Sequence, residues 1–219
     1  MTVLLVVAKA PVPGLAKTRL CPPLTSAQSA EVAAASLLDT LDAVAGTPGV
    51  RPVAAMTGDL AAAVRSAELR IALRDWTVLE QRGETFGQRL AAAHADAAAA
   101  FPGHPVLQIG MDTPQVSPEL LSHACARLTT AESVLGPAED GGWWAVGFVD
   151  PAHSALLSDI PTSRDDTGAR TLAALRNHGL RVDQLPMLSD VDTVDDAVRV
   201  AELVPRNRFA ASLPAGALR

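Results

Sequence analysis

Within Thr2–Ala8 (TVLLVVA), residues Val3–Ala8 form an unbroken apolar run that stops at Lys9. Such a run reads as a strand buried on both faces, and strands of that kind belong to mostly parallel sheets covered by helices. The six residues Val3–Ala8 are too few for a signal-peptide core or a membrane helix, and no basic segment precedes them.

The rest of the chain alternates short apolar runs with longer helical stretches. A helix is expected over Thr25–Ala45, where Thr25 and Gln28 make a capping box and Ala30, Ala34, Leu37, Leu38, Leu41 and Val44 line one face, with Gly46 to end it. Pro52–Thr57 reads as a strand, Asp59–Ala67 as a short helix, Glu84–Ala100 as a helix and Pro105–Gly110 as a strand. Ser117-Pro118-Glu119 starts another helix, because Ser caps and Pro suits the first turn. Ser133–Gly136 and Trp143–Phe148 are strand-like, Asp166–His178 is helical with Gly179 as its stop, and Arg181–Leu185 reads as a last strand. Thr193 caps a final helix to about Val204, with Asp195 and Asp196 near its positive end. This predicts an α/β fold with a mostly parallel sheet, one domain over residues 1–204 and a mobile tail over 205–219.

Composition narrows the function. Of 219 residues, 48% are apolar and 19% charged, which excludes global disorder. A net charge of -6 argues against a general nucleic-acid binder, and 3% aromatics with no Tyr supply no stacking platform for single strands. Cys21 and Cys125 make neither a disulfide framework nor a zinc pattern, so a reducing cytoplasm is the expected setting. His94, His104, His123, His153 and His178 are scattered without ligand spacing.

Charge is unevenly placed. Residues 1–30 hold Lys9, Lys17 and Arg19 and no acid, whereas Asp183, Asp190, Asp192, Asp195 and Asp196 crowd one late segment. Opposed blocks of this kind suit an anionic ligand held with a divalent cation. Lys9-Ala10-Pro11-Val12-Pro13-Gly14-Leu15-Ala16-Lys17-Thr18-Arg19 follows the first strand, where α/β sheets place ligand loops. Its prolines stiffen it, Gly14 permits a conformation that other residues avoid, and its cations suit a phosphate chain, although it has neither P-loop nor dinucleotide-fold spacing. Asp112, in Gly110-Met111-Asp112-Thr113-Pro114, follows another strand and can offer a carboxylate to Mg²⁺ in the same crevice. Asp190 and Asp192 alternate onto one side of an extended segment, and one of them can complete that metal site. Asp195 and Asp196 are better explained by helix capping. Asp140-Gly141-Gly142-Trp143 makes a tight turn that offers an acceptor a flat apolar face, and Trp144 reads as core. Gly83 and Gly87, in Gln81–Arg89, flank a helix start whose amides can meet a nucleotide.

Taken in order, KAPVPGLAKTRL, DTL at Asp39–Leu41, QRGETFGQRL, IGMDTP, GPAEDGGWW and DVDTVDDA resemble a bacterial family of GT-A-like transferases. Its members are described as nucleotide-diphospho-sugar transferases or glycosyltransferases, with a subgroup associated with arsenosugar biosynthesis. The resemblance covers roughly residues 3–204. More distantly, the chain is similar to molybdenum-cofactor and phospholactate guanylyltransferases. The resemblance implies a GT-A fold, a Rossmann-like sheet with a nucleotide at its carboxyl edge. It implies that Lys9, Gly14, Lys17 and Arg19 bind phosphates, with Lys17 and Asp112 closest to the chemistry. It places Gln81, Gly83 and Gly87 near the base, Mg²⁺ or Mn²⁺ on Asp112 and Asp192, and the acceptor at Asp140, Gly141, Gly142 and Trp143. The chain departs from the family at Trp143-Trp144, where an aromatic pair containing Tyr is common, and at Thr162-Ser163-Arg164, where Trp-Ser-Thr is common. The expected partners are a nucleotide or nucleotide-sugar donor and a small acceptor, with neither nucleic acid nor membrane, in a monomer or small homo-oligomer. Three functions stand at this point: transfer from a nucleotide sugar, nucleotidyl transfer with pyrophosphate release, and nucleotide binding without catalysis.

Overall fold

The computed structural model describes residues 1–214. Its strands are β1 (Thr2–Lys9), β2 (Val50–Thr57), β3 (Thr77–Glu80), β4 (Val106–Gly110), β5 (Ser133–Pro137), β6 (Trp143–Phe148) and β7 (Val182–Gln184). Its α-helices are α1 (Ser26–Ala45), α2 (Ser66–Ala72), α3 (Phe86–Ala100), α4 (Pro118–Arg127), α5 (Thr167–Asn177), α6 (Val194–Leu203) and α7 (Arg208–Ser212). A 3-10 helix spans Pro151–Asp159. All strands join one sheet in the order β3-β2-β1-β4-β6-β5-β7. Only β6 runs against its neighbours, so the sheet is mostly parallel, as expected.

The pleat of β1 shows why Val3–Ala8 are apolar without a break. Leu4, Val6 and Ala8 pack into a core layer with Leu37, Leu41, Leu69 and Leu121 from α1, α2 and α4. Val3, Leu5 and Val7 face the other way, toward Leu90, Leu157 and Leu175 from α3, the 3-10 helix and α5. The second layer also buries His94, whose ring meets Phe148 edge-on at 5.3 Å. Neither ring nitrogen of His94 has a hydrogen-bond partner among the described residues.

A third, smaller core matters most for the site. It gathers Leu20 and Leu24, Val32 of α1, Val191, Val200 of α6 and Phe209 of α7. This cluster clamps the segment after the basic loop against the acidic segment near residue 190.

Several boundaries differ from the sequence reading. The helix expected over Asp59–Ala67 lies at Ser66–Ala72, because Asp59 instead closes a turn by accepting from Ala61 N at 2.7 Å. The α3 helix starts at Phe86 rather than Glu84, behind a Thr85/Gln88 capping box. β3 is a four-residue edge strand that the pattern did not reveal. The tail expected to be mobile carries α7, with Phe209 fully buried; residues 215–219 of that tail lie outside the described residues. The capping boxes at Thr25/Gln28 and Thr193/Asp196, and the Ser117 cap with Pro118 behind it, are present. No helix among the described residues is long and apolar enough to cross a membrane.

Candidate functional site

β1 and β4 are parallel neighbours with Val7 opposite Gly110, so the basic loop and the Asp112 loop leave the sheet side by side. Two side contacts fix that edge. Ser36 of α1 donates to Met111 O at 2.6 Å, and Gln81 donates from Nε2 to Ala8 O and Ala55 O at 2.9 Å each.

The acidic segment arrives along the end of β5. Leu188 N donates to Pro137 O and Glu139 N to Leu188 O, and Val191 N then donates to Asp112 O at 2.9 Å. Arg199 of α6 rivets the same region, reaching Asp196, Glu139 and the Ser189 hydroxyl. The residues between are held by the third core: Leu20, next to Arg19, and Val191, next to Asp192, are both fully buried there.

These anchors bring the charges together. Lys17 Nζ lies 2.9 Å from Asp112 Oδ1 and 3.3 Å from Asp192 Oδ1, and it donates to Val191 O. Its side chain is 8% exposed. Burial disfavours its charge, but the two carboxylates outweigh that cost and hold its pKa above the usual lysine value. Arg19 Nη1 takes the other oxygen of Asp192 at 2.8 Å from a largely exposed position. Lys9 is exposed and has no ion-pair partner among the described residues. Lys9, Lys17, Arg19, Met111, Asp112 and Asp192 all line one cavity of about 220 Å³.

Beside that cavity, carboxylate oxygens of Asp140, Asp190 and Asp192 lie within 4.8 Å of one another. Burial, then the neighbouring Asp140 and Asp192, push the Asp190 carboxyl up to about 6. Three carboxylates at this spacing suit a hard divalent cation, which favours oxygen ligands. Asp192 belongs to both the cavity and this trio. Asp112 lies outside the trio, with one oxygen on Lys17.

The other sequence candidates divide. Gly14 is at φ +79 with open space where a Cβ would sit, as suits the apex of a ligand loop. Gly87 is buried, and a Cβ there would meet Leu157 O at 2.5 Å, so close packing of α3 on the 3-10 helix accounts for a glycine at this position. Gly83 is exposed and lines a separate groove between α3 and residues 150–158. Gln81 sits at the sheet edge, with its amide nitrogen spent on main-chain carbonyls. Gly141 is at φ +87 against Asp165 O, and Gly142 N donates to Asp140 Oδ1 at 2.7 Å, so this turn aims a carboxylate at the acidic trio. Trp143 packs half-buried on the second core layer, while Trp144 is core and donates to Pro186 O. Asp39 caps α7 by accepting from Arg208 N and Phe209 N.

Sequence reasoning missed three parts of the site: the third core, Arg199, and Asp140 as an acidic partner of Asp190 and Asp192. The available signal for Asp140 was its place before Gly-Gly, where a tight turn fixes a side chain's direction.

A family model described as an uncharacterized protein conserved in bacteria, DUF2064, matches residues 40–164. The chain belongs to the DUF2064 family. Among solved structures, a presumed nucleotide-diphospho-sugar transferase of Desulfovibrio desulfuricans G20 is 26% identical, with a TM-score of 0.83 over 97% of this chain and 94% of that one. Rv0371c of Mycobacterium tuberculosis H37Rv, in complex with manganese, is 20% identical, with a TM-score of 0.56 over 92% of this chain and 99% of that one. A CMP:2-keto-3-deoxy-manno-octonic acid synthetase in complex with CTP is 10% identical, with a TM-score of 0.58 over 94% of this chain and 99% of that one. No curated protein matches the sequence significantly. This DUF2064 member therefore has the nucleotide-diphospho-sugar transferase fold that its motifs led one to expect.

Proposed function

We propose that this chain is a metal-dependent transferase of the nucleotide-diphospho-sugar type, working from a nucleotide donor held at the carboxyl edge of the sheet. The observation that carries this reading is the single cavity shared by Lys9, Lys17, Arg19, Asp112 and Asp192. Cations on a stiff loop suit a phosphate chain, and the Arg fork can grip two phosphate oxygens. Support comes from the names of similar structures, a presumed nucleotide-diphospho-sugar transferase and a CTP-bound synthetase.

The carboxylates of Asp140, Asp190 and Asp192 would hold Mg²⁺ or Mn²⁺, with Asp112 lining the cavity beside them. A related fold has been captured with manganese. When bound, the ion supplies positive charge against the phosphate oxygens that gain charge as the leaving group departs. The chain's own part is to orient the phosphates through Lys9, Lys17 and Arg19 and to present the acceptor along the Gly141–Trp143 turn. Gln81, bonded to Ala8 O at the end of β1, would be the nearer of the two expected base contacts, since Gly83 lines a separate groove.

Two bonds are candidates for cleavage. In glycosyl transfer, an acceptor oxygen attacks the anomeric carbon of a nucleotide sugar and a nucleoside diphosphate leaves. In nucleotidyl transfer, a phosphorylated acceptor attacks the α-phosphorus of a nucleoside triphosphate and pyrophosphate leaves. Three cations on one cavity favour the second, because a triphosphate has more charge to neutralise. A cytoplasmic enzyme suits two unpaired cysteines. The test is a thermal-shift panel of nucleoside triphosphates and nucleotide sugars with and without Mg²⁺ or Mn²⁺, followed by identification of the released product. Metal-dependent stabilisation with release of either product supports a transferase. Nucleotide binding that ignores the metal and yields no product would leave a nucleotide-binding module instead.

A further inference from the structure

Asp192 is asked to serve two masters. Its carboxylate belongs to the trio with Asp140 and Asp190, yet both of its oxygens already hold cations: Oδ1 faces Lys17 at 3.3 Å and Oδ2 faces Arg19 at 2.8 Å. The Lys17 ammonium is closed in further by Asp112 at 2.9 Å and by Val191 O. The neighbourhood therefore sets two paired cations against four carboxylates, and the two cations sit on the Asp192 oxygens that a metal would want.

We propose that Lys17 is a resident counter-cation that must change partners before the site fills, so that a divalent ion and a polyphosphate bind cooperatively. The inference rests on the transferase reading above and deepens it. A metal ligated by Asp192 competes with the ammonium for the same carboxylate, and like charges at that spacing repel. A polyphosphate gives Lys17 and Arg19 replacement oxygens. Each ligand thus removes part of the obstacle to the other, and the coupling is reciprocal by thermodynamic linkage. The exchange needs only the Lys17 side chain to swing, because the loop itself is held by buried Ala16 and by bonds from Leu15 N and Ala16 N to Val12 O. Lys17 takes a left-handed backbone conformation, φ 48° and ψ 41°, which residues with a Cβ rarely adopt.

The experiment uses each ligand alone, which avoids chelation of the metal by the phosphate. Mn²⁺ binding to the full chain is measured by electron paramagnetic resonance of the free ion. Lys17→Met keeps the aliphatic stem and removes the charge, and it should bind Mn²⁺ at least tenfold more tightly than the unaltered protein. Lys17→Arg keeps the charge and should stay within threefold of it. Lys9→Met removes a lysine from the same cavity that has no carboxylate partner, and it should also change affinity less than threefold. In the reverse arm, with EDTA present, Asp192→Asn should bind inorganic tripolyphosphate several-fold more tightly, because Arg19 is released and Lys17 keeps only one of its two carboxylates. Unchanged or weaker Mn²⁺ binding by Lys17→Met overturns the exchange, as does an equal gain in Lys9→Met, which would show only a diffuse field. Should Mn²⁺ bind the unaltered protein and lose affinity in Asp190→Asn while Lys17→Met changes nothing, the metal site stands and the exchange falls. Absence of Mn²⁺ binding in every variant removes both.

Discussion

Leu20 and Val191 lie far apart in the chain, yet both are fully buried in the same small core, one flanking Arg19 and the other flanking Asp192. The contact of cations with carboxylates above them is therefore secured by apolar packing below. Exposed ion pairs contribute little by themselves, so the small core is the sturdier link. Leu20→Ala should cost about 2–5 kcal/mol of stability. It should also weaken metal-dependent nucleotide binding under conditions where the protein is still folded. Urea unfolding and nucleotide titration on the same samples check both; normal binding at lowered stability would show that the core does not position the site.

Lys17→Ala should weaken triphosphate binding more than binding of the corresponding nucleoside, since on the proposed reading its ammonium turns from the carboxylates to phosphate oxygens when a polyphosphate binds. Each lost charge-assisted hydrogen bond is worth about 1.5–3 kcal/mol, or roughly ten- to a hundredfold in affinity. Isothermal titration with both ligands decides the matter, and an equal loss for the two would point to a damaged fold. Asp190→Ala is expected to abolish Mg²⁺-dependent nucleotide binding while the circular dichroism spectrum stays native. Retained metal dependence would remove Asp190 from the metal site.

Gly14 and Gly141 both have positive φ, yet the structure treats them differently. At Gly14 a Cβ would meet nothing within 4 Å, whereas at Gly141 it would lie 1.9 Å from Asp165 O. Gly14→Ala should cost only the left-handed strain, about 1–2 kcal/mol. Gly141→Ala must also push α5's leading segment off the turn, so its loss should exceed that of Gly14→Ala by more than about 1 kcal/mol. Thermal denaturation of the pair tests the ordering.

His94 makes the fold acid-sensitive. Burial holds its imidazole down at about 3, against 6.5 for a solvated histidine. The unfolded chain therefore takes up a proton that the folded chain refuses. Stability from this group is fully present above pH 6.5 and is lost as pH falls toward 3, at about 1.4 kcal/mol per unit. Between pH 6.5 and pH 4.5 the loss should be about 2–3 kcal/mol. His94→Leu should flatten that part of the profile. Urea midpoints at several pH values provide the check, and parallel profiles for the two proteins would rule His94 out as the cause.

The sequence carried the local parts of this molecule well. β1 was legible because a strand buried on two faces must be apolar throughout. Three helix starts were legible because Thr25, Ser117 and Thr193 bond to amides within their own first turn. The basic loop and Asp112 were legible as site candidates because ligand loops follow parallel strands. Features set by distant partners stayed hidden. The reversed direction of β6 leaves no mark on an apolar pattern. β3 is too short and too exposed at its edge to show a period. The five-residue α7 depends on Asp39, 170 positions away, rather than on its own propensity. The meeting of Asp140 with Asp190 and Asp192 is likewise a product of topology, since β5 and the segment after β7 run together only once the sheet has formed.

The docking of α7 reaches further than a cap on the far side of the molecule. Asn207, at its leading edge, donates from Nδ2 to Pro114 O at 3.0 Å, two residues from Asp112. Asp112 O in turn receives Val191 N. The α7 segment is thus a brace for the loop that carries Asp112. A version shortened to residue 205 would keep every charged group that lines the cavity and lose the strut that holds one of them in register.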